Sequence, residues 1–456
     1  MDHNIEPIQP GSRKLRERER NGPYDAPPWL HIKILFAVCT SVVFLCNPAG
    51  PVHGKLVIDV NNPNTAKMPI AIPDFVSTGS EAVDTKELTN ILRNDLYMTG
   101  LFHIVDSLPA QASMPGGQTD FRFLTESGIQ ALIKGEVAGR GDELTLEARL
   151  YDAAVQKMEA GKRFTGRLND RRKIVHAFAD RVMQTLTGVP GCFSTGIAFV
   201  GAGKDREIYS MDFDGHNLAQ LTQTGTIILS PEWAPDGRNI IFTAYLKGNP
   251  DLWSLDLPSR SRHLVSGRQG LNASARYSPR GDRIALALSV KGIPQIFLIT
   301  PQGHILKRLT TGRGNDISPT WSPDGSAIAY VSDRAGAPQI YVMSSDGGPS
   351  TRLTFETKYN TDPDWSPKGD LLAFTSKIEG RFQICTIRTN GTDFRILTGE
   401  GSNQEPAWSP DGRLITFSST RQGKQRIYVM DARGEVQVPV TSMPGKAPAW
   451  SSHGTR

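Results

Sequence analysis

The sequence has few cysteines and no long hydrophobic run, and both features limit the classes of protein to which the chain can belong. Four of its 456 residues are cysteine, and only Cys192 and Cys385 lie outside an apolar stretch at residues 34–46. That stretch of 13 residues is too short to span a bilayer as a helix but is typical of the core of an export signal. We therefore predict that residues 1–54 are a polar extension plus a signal peptide, cleaved between Ala49 and Gly54. A membrane anchor is the alternative for the same stretch.

The chain also lacks a strong charge of one sign and the common catalytic motifs. Its formal net charge is +5, and the basic residues are interspersed with acids, so nothing favours nucleic acid as a partner. No Gly-x-Ser-x-Gly elbow occurs, and "GAGKDRE" at residue 201 has Asp205 where a phosphate loop needs Ser or Thr. None of the nine histidines, including His103 and His176, has the spacing of a zinc site. These observations leave no candidate nucleophile with a partner, and we predict no metal, no cofactor and no small-molecule substrate.

What the sequence has in abundance is internal repetition. An aromatic residue followed four positions later by glycine recurs every 42 to 44 residues, at Trp233, Tyr277, Trp321, Trp365, Trp408 and Trp450. A second register recurs with nearly the same period, at Tyr209, Trp253, Phe297, Tyr341, Cys385 and Tyr428. A period near 44 that contains only strand and turn signals is typical of a β-propeller, and six copies predict six blades. The register favours Cys385 as a buried core residue over a disulfide with Cys192.

The array begins out of phase, which predicts how it closes. Its first strands, at 197–200, 206–212 and 218–222, have no tryptophan strand before them, and its last strand, at 447–452, has nothing after it. We therefore expect the C-terminal strand to pair into the first blade and close the ring. The Asp-Gly turns of the repeats could suggest calcium, but Arg280, Lys368 and His453 replace the acid in other copies, which favours turn capping.

Residues 55–190 lack the repeat and show a mixed rhythm. Strands are predicted at 55–59, 69–75, 101–106, 130–137, 143–151 and 157–164, and helices at 84–100, 119–127 and 170–187. Asp84 and Glu87 form a predicted capping box for the first helix. The predicted fold is therefore a small N-terminal α/β domain, residues 55–190, followed by an all-β six-bladed propeller, residues 191–456.

Polar residues stand just before most of the tryptophan strands. Because the inner strands of a propeller share one polarity, the loops before them converge at one mouth of the central channel. Ordinary loop solvation explains any one of these residues as well as function does. As a set they predict a partner site, composed of Asn272, Asp316, Asn360, Asp362, Asn403 and Glu405.

The order of export signal, α/β domain and repeats, with "KLVIDV" at 55 and "LTGVPGCFSTGIAFV" at 186, resembles the TolB family of the Tol-Pal system of Gram-negative bacteria. The resemblance covers essentially everything from Lys55 onward. This chain departs from the family pattern in its long segment before the signal and in Ala275, which replaces the usual proline.

The resemblance implies a non-enzymatic periplasmic protein that supports outer-membrane integrity and invagination during cell division. Its propeller mouth would bind the peptidoglycan-associated lipoprotein Pal, and through Pal the chain would associate peripherally with the outer membrane. The start of the mature chain would bind TolA through Lys55, Leu56, Val57, Ile58 and Asp59. Two alternatives stay open, the propeller domain of a hydrolase and a carbohydrate-binding propeller.

Overall fold

The computed structural model describes residues 56–58, 66–79, 83–108, 119–203 and 206–452 of the chain. The predicted polar extension, signal peptide and cleavage site lie outside these residues. Within the described ranges, no helix has both the length and the apolar character needed to cross a membrane.

The N-terminal region is a mixed sheet of six strands with helices packed on it. The elements are β1 Met68–Ala71, β2 Val76–Ser77, α1 Thr85–Met98, β3 Phe102–Val105, α2 Phe121–Glu126, β4 Ala131–Arg140, β5 Glu143–Asp152, β6 Lys157–Arg167 and α3 Arg171–Thr187, the last preceded by a 3-10 turn at Leu168–Asp170. The strand order is β3-β1-β4-β5-β6, and β2 also pairs with β4. The pairs that involve β1 or β2 are parallel, whereas β4, β5 and β6 form an antiparallel meander.

The ends of the two long helices follow their sequences. The side chain of Asp84 accepts a hydrogen bond from the Glu87 amide at 2.9 Å, as the predicted cap requires. The Glu87 carboxylate pairs with Arg171 at the start of α3, so it links the two helices. Helix α3 ends at Gly188, which has a left-handed φ of 80° that a side chain would disfavour. The predicted inward faces, with Leu88 and Leu92 on α1 and Phe178 on α3, are buried.

The first described residues do not form the strand predicted at 55–59. Leu56–Ile58 instead lie against the end of α3, where the Ile58 amide donates a hydrogen bond to the Leu186 carbonyl at 2.7 Å. The last carbonyls of a helix have no partner within the helix, so they are ready acceptors for such a segment. The Ile58 side chain is 5% exposed and belongs to the hydrophobic core.

The rest of the described chain forms six four-stranded antiparallel sheets, which confirms the predicted propeller. In each blade the first strand lies at the centre of the ring and the fourth lies outside. Blade 2 consists of β10 Ile228–Trp233, β11 Asn239–Ala244, β12 Asp251–Asp256 and β13 Arg262–Ser266, and blade 3 consists of β14 Asn272–Tyr277, β15 Ile284–Val290, β16 Ile293–Ile299 and β17 Ile305–Arg308. Blade 4 consists of β18 Asp316–Trp321, β19 Ala327–Ser332, β20 Gln339–Ser344 and β21 Ser350–Arg352, and blade 5 consists of β22 Asn360–Trp365, β23 Leu371–Ile378, β24 Arg381–Arg388 and β25 Arg395–Ile396. Blade 6 consists of β26 Asn403–Trp408, β27 Leu414–Ser419, β28 Arg426–Asp431 and β29 Gln437–Pro439.

Blade 1 is split between the two ends of the array. It contains β7 Gly196–Gly201, β8 Ile208–Asp212 and β9 Ala219–Gln220, and its innermost strand is the C-terminal β30 Gly445–Trp450. Strand β30 pairs antiparallel with β7, and the Gly196 amide donates to the Ser451 hydroxyl at 2.9 Å. The ring therefore closes as the out-of-phase repeats predict, and blade 1, like the other five, has its innermost strand.

The repeated aromatic residues and turns hold the blades together. The Trp233 indole donates to the carbonyl of Ala449 in the neighbouring blade, and the Trp321 indole donates to that of Arg276. In the turn of blade 4, Asp324 accepts hydrogen bonds from the Ser322 hydroxyl and the Ser326 amide. Those hydrogen bonds lower the pKa of Asp324 to about 2, and they fit turn capping rather than calcium binding.

The α/β region and the propeller share one hydrophobic cluster. Phe178 and Val182 of α3 belong to the same buried cluster as Phe213 and Leu414 of blades 1 and 6. The buried Arg413 guanidinium adds hydrogen bonds to the Thr187 hydroxyl and the Pro190 carbonyl. The predicted domain boundary at residues 190 and 191 stays a prediction.

The two cysteines of the described chain are both free and buried. Cys385 lies in the core beside Phe374, where the repeat places an aromatic residue in most blades. This outcome agrees with the core interpretation and not with a disulfide.

Candidate functional site

Every innermost strand carries the same bulge. The pairing register shifts in the middle of each, as between Leu229 and Glu232 in blade 2. A residue other than glycine adopts a left-handed φ of 48° to 59° at each bulge, and these residues are Ser230, Ser274, Ser318, Asp362, Glu405 and Ala447. A left-handed conformation costs about 1–2 kcal/mol per residue, so its occurrence at six equivalent positions shows that the bulge is a regular part of the ring.

The six bulges surround the central channel. They line a cavity of about 70 Å³, together with the proline that follows the bulge residue in five blades and with Arg276 in blade 3. Of the six residues predicted for the partner site, Asp362 and Glu405 lie on this lining. The bulge re-aims these side chains from the strand into the channel.

A second layer of charged groups lies deeper in the channel. The Arg276 guanidinium pairs with Glu232 of the neighbouring blade at 2.6 Å, and it also faces Asp364. Arg276 borders both the bulge cavity and a second cavity of about 280 Å³ below it. Loss of water around Glu232 raises its pKa to about 7, although Arg276 opposes that shift. The same burial raises the pKa of Asp364.

The two predicted acids are held by hydrogen bonds within the propeller. The Glu405 carboxylate accepts from the Ala447 amide at 2.6 Å and from the Ser418 hydroxyl at 3.1 Å. Asp362 accepts from the Thr361 hydroxyl at 3.0 Å. Burial raises the pKa of both carboxyl groups, and the charge of Asp362 raises that of Glu405 further. Among the described residues, the charged groups that line the two cavities are therefore acidic except for Arg276.

The other four predicted site residues, Asn272, Asp316, Asn360 and Asn403, are buried at the first position of their strands, with side chains no more than 2% exposed. Asn403 donates to the Gln383 side chain and to the Glu400 carbonyl, both at 2.9 Å. Asp316 accepts from Arg334 at 3.1 Å.

These hydrogen-bond partners explain why the four side chains are polar although they are buried. Each one holds the loop or the hairpin beside it, as Asn272 does by donating to the Arg268 carbonyl at 2.6 Å. Direct contact with a partner, as predicted for these four, does not fit their burial. A part for these four residues in partner binding stays a prediction.

The second predicted site, at the start of the mature chain, is partly described. Leu56 packs on the core, Ile58 is buried in it, and Val57 between them is 58% exposed. Lys55 and Asp59 lie outside the described residues. The described part of this segment is therefore docked on α3.

One group in the described chain has the composition of a metal site. Oxygen and nitrogen atoms of Asp95, His176 and Asp214 lie within 4.8 Å of one another. His176 already binds Asp95 through Nδ1 at 2.7 Å, and Arg172 forms an ion pair with Asp214. Because the guanidinium supplies the positive charge, we interpret the group as a buried ion-pair network between the helices and blade 1.

Sequence reasoning missed Glu232, Arg276 and the bulges. Their signal was the repeated pattern of a small or acidic residue, proline, any residue and tryptophan, as in "SPEW", "DPDW" and "EPAW". The third position of that pattern supplies the deeper layer of the channel.

Comparison with known proteins decides the family. A family model described as "TolB amino-terminal domain" matches residues 56–158, and one described as "TolB beta propeller domain" matches residues 183–454. The chain belongs to the TolB family. The predicted resemblance is therefore confirmed.

Individual TolB proteins agree with this assignment. The chain is 36% identical over 239 residues to the Tol-Pal system protein TolB of Desulfosudis oleivorans, covering 50% of this chain and 54% of that protein. It is 39% identical over 218 residues to that of Geobacter sulfurreducens, covering 46% and 50%. The matched part thus spans about half the length of these curated relatives. A crystal structure of TolB from Acinetobacter baumannii has a TM-score of 0.75 and 26% identity, covering 85% of this chain and 97% of that one.

Proposed function

We propose that this chain is a periplasmic interaction protein that binds the peptidoglycan-associated lipoprotein Pal at the mouth of its propeller. The mouth is the end of the channel at which the innermost strands begin. The observation that carries the proposal is the ring of bulges, which presents ordered side chains from six blades to one opening. Through Pal the protein would be held at the outer membrane and would support its integrity and its invagination during division.

We further propose that TolA binds the segment Lys55–Asp59. In its docked state this segment offers Val57 to solvent and keeps Ile58 in the core. Binding of the whole segment therefore requires that it leave α3, and the free energy of docking sets the population that TolA can bind.

The test of the Pal site neutralises the two channel acids without changing their shape. Asp362→Asn with Glu405→Gln keeps the size of both side chains, and we expect the affinity for the purified soluble domain of Pal to fall about tenfold or more. Isothermal titration calorimetry measures the affinity, and circular dichroism checks the fold.

The matched control is Asp142→Asn with Glu143→Gln, which removes the same two charges from an exposed hairpin between β4 and β5. The control should bind Pal as the unchanged protein does. Equal affinities for the two double variants would contradict the channel assignment.

A further inference from the structure

The proposed Pal site has a second set of loops that the predicted residues do not include. In each blade the second strand runs antiparallel to the first, so it ends at the mouth, and the hairpin to the third strand lies there. The mouth is therefore bordered by two loops per blade, one before the innermost strand and one between the second and third strands.

Each of these hairpins carries an exposed cation. In chain order they are Arg206, Lys247, Lys291, Arg334, Arg381 and Lys424, and we call these six residues the basic rim. Among the described residues, Arg334 is the rim member with a salt bridge, to Asp316. The acids Glu207 and Asp333 in the same hairpins are tied to backbone and side-chain donors, whereas Glu379 is exposed beside Arg381.

The sign of the rim is opposite to that of the channel that it surrounds. Glu232, Asp362, Asp364 and Glu405 outnumber Arg276 inside the channel. A partner that lies flat on the mouth would therefore meet positive charge at its perimeter and acidic groups at its centre. Complementary charges of this kind mainly increase the rate of association and fix the orientation of the complex.

The sign pattern also distinguishes a protein partner from a membrane. A flat anionic membrane would place negative charge over the acidic channel as well as over the rim, so the pattern favours a protein surface.

We propose that the propeller mouth recognises a folded protein whose docking face carries carboxylates around its perimeter and fewer at its centre. This inference rests on the proposed function and adds to it the chemistry of the partner face. The rim supplies long-range attraction, and the channel supplies the contacts that determine the lifetime of the complex.

The test reverses three rim charges, in Lys247→Glu with Lys291→Glu and Lys424→Glu. The association rate constant for the purified soluble domain of Pal is measured by stopped flow at several salt concentrations. We expect it to fall about tenfold or more at low salt in this variant, with a much smaller change in the dissociation rate. The rate for the unchanged protein should fall steeply as salt increases.

The matched control reverses three exposed cations of the N-terminal sheet, in Arg140→Glu with Lys157→Glu and Arg167→Glu. Its net charge equals that of the rim variant, and its association rate should stay within about twofold of the unchanged protein. If the rim variant and the control behave alike, the rim inference is wrong even though Pal binds.

Two further outcomes separate the inference from its alternatives. If the unchanged protein does not bind Pal at all, the proposed function fails and this inference fails with it. If phosphatidylglycerol vesicles sediment the unchanged protein but not the rim variant, the rim serves a membrane and the inference is overturned. We expect no more binding to those vesicles than to phosphatidylcholine vesicles.

Discussion

At the scale of single residues, polarity in the mouth loops has two different causes. Asn403 and its equivalents are polar because they bind neighbouring backbone and side chains, whereas Glu405, two positions later, is polar and lines the channel. Sequence position does not distinguish the two, because the bulge between them reverses the direction in which a side chain points. The sequence could therefore predict which loops form the mouth but not which of their side chains line it.

The role of Asn403 leads to a prediction about stability. Asn403→Ala removes three hydrogen bonds, to Gln383, Glu400 and Arg421, and leaves the buried Gln383 side chain without that donor. We expect the free energy of unfolding to fall by about 1–3 kcal/mol, measured by urea denaturation.

Its neighbour Gln404, which is half-buried in the same strand, gives the control. Gln404→Ala should change the free energy of unfolding by less than about 0.5 kcal/mol. Equal losses for the two variants would show that the amide hydrogen bonds of Asn403 contribute little.

At the scale of elements, the helices and the propeller meet through a buried titratable group. His176 on α3 is faced by Asp95 from α1, by Asp214 from the turn after β8, and by Arg172 and Asp180 from its own helix. Burial raises the pKa of Asp95 to about 7 although His176 lowers it. Burial lowers the pKa of His176, but the two facing aspartates more than reverse that effect, and the net shift is upward.

These shifts predict how stability depends on pH. Both groups bind protons more tightly in the folded state than in the unfolded state, so the free energy of unfolding should decrease as pH rises from 5 to 8. We expect a decrease on the order of 1–3 kcal/mol, and Asp95→Asn should make it smaller. Urea denaturation at each pH measures the change.

Asp106→Asn, at an exposed aspartate after β3, is the control for that experiment. It should leave the pH dependence of the free energy of unfolding as it is in the unchanged protein. A pH profile that Asp95→Asn does not flatten would assign the dependence to other groups.

Most elements were predictable from the sequence because each of them follows a local rule. Helix α1 begins after the Asp84 cap, and the Asp-Gly turns mark the hairpins of the blades. The segment at Leu56–Ile58 was predicted as a strand because its composition is β-branched and apolar, yet its partner is the last turn of α3. That partner lies more than 120 residues away, so no local pattern could indicate it.

At the scale of the whole molecule, the ring depends on its last strand. Strand β30 is the innermost strand of blade 1, and its Trp450 indole donates to the Thr195 hydroxyl at 2.6 Å. A chain that ends at Gly445 loses nearly all of β30 and exposes the edge of β7. We expect its melting temperature to fall by about 10 °C or more, which calorimetry measures.

A chain that ends at Ser452 keeps all of β30 and is the matched truncation. Its melting temperature should equal that of the full chain. If both truncations melt like the full chain, closure by β30 does not support the ring.

The split blade also determines when the protein can finish folding. Gly196 and Ser451 are 255 positions apart in the chain, yet their hydrogen bond joins neighbouring strands. Blades 2 to 6 are each continuous in sequence and can form from local hairpins, whereas blade 1 must wait for the last strand to be made and delivered. Bringing the two ends of the array together costs chain entropy, which makes the pairing of β30 with β7 the final step of folding. A completed blade 1 therefore indicates that all six blades have formed.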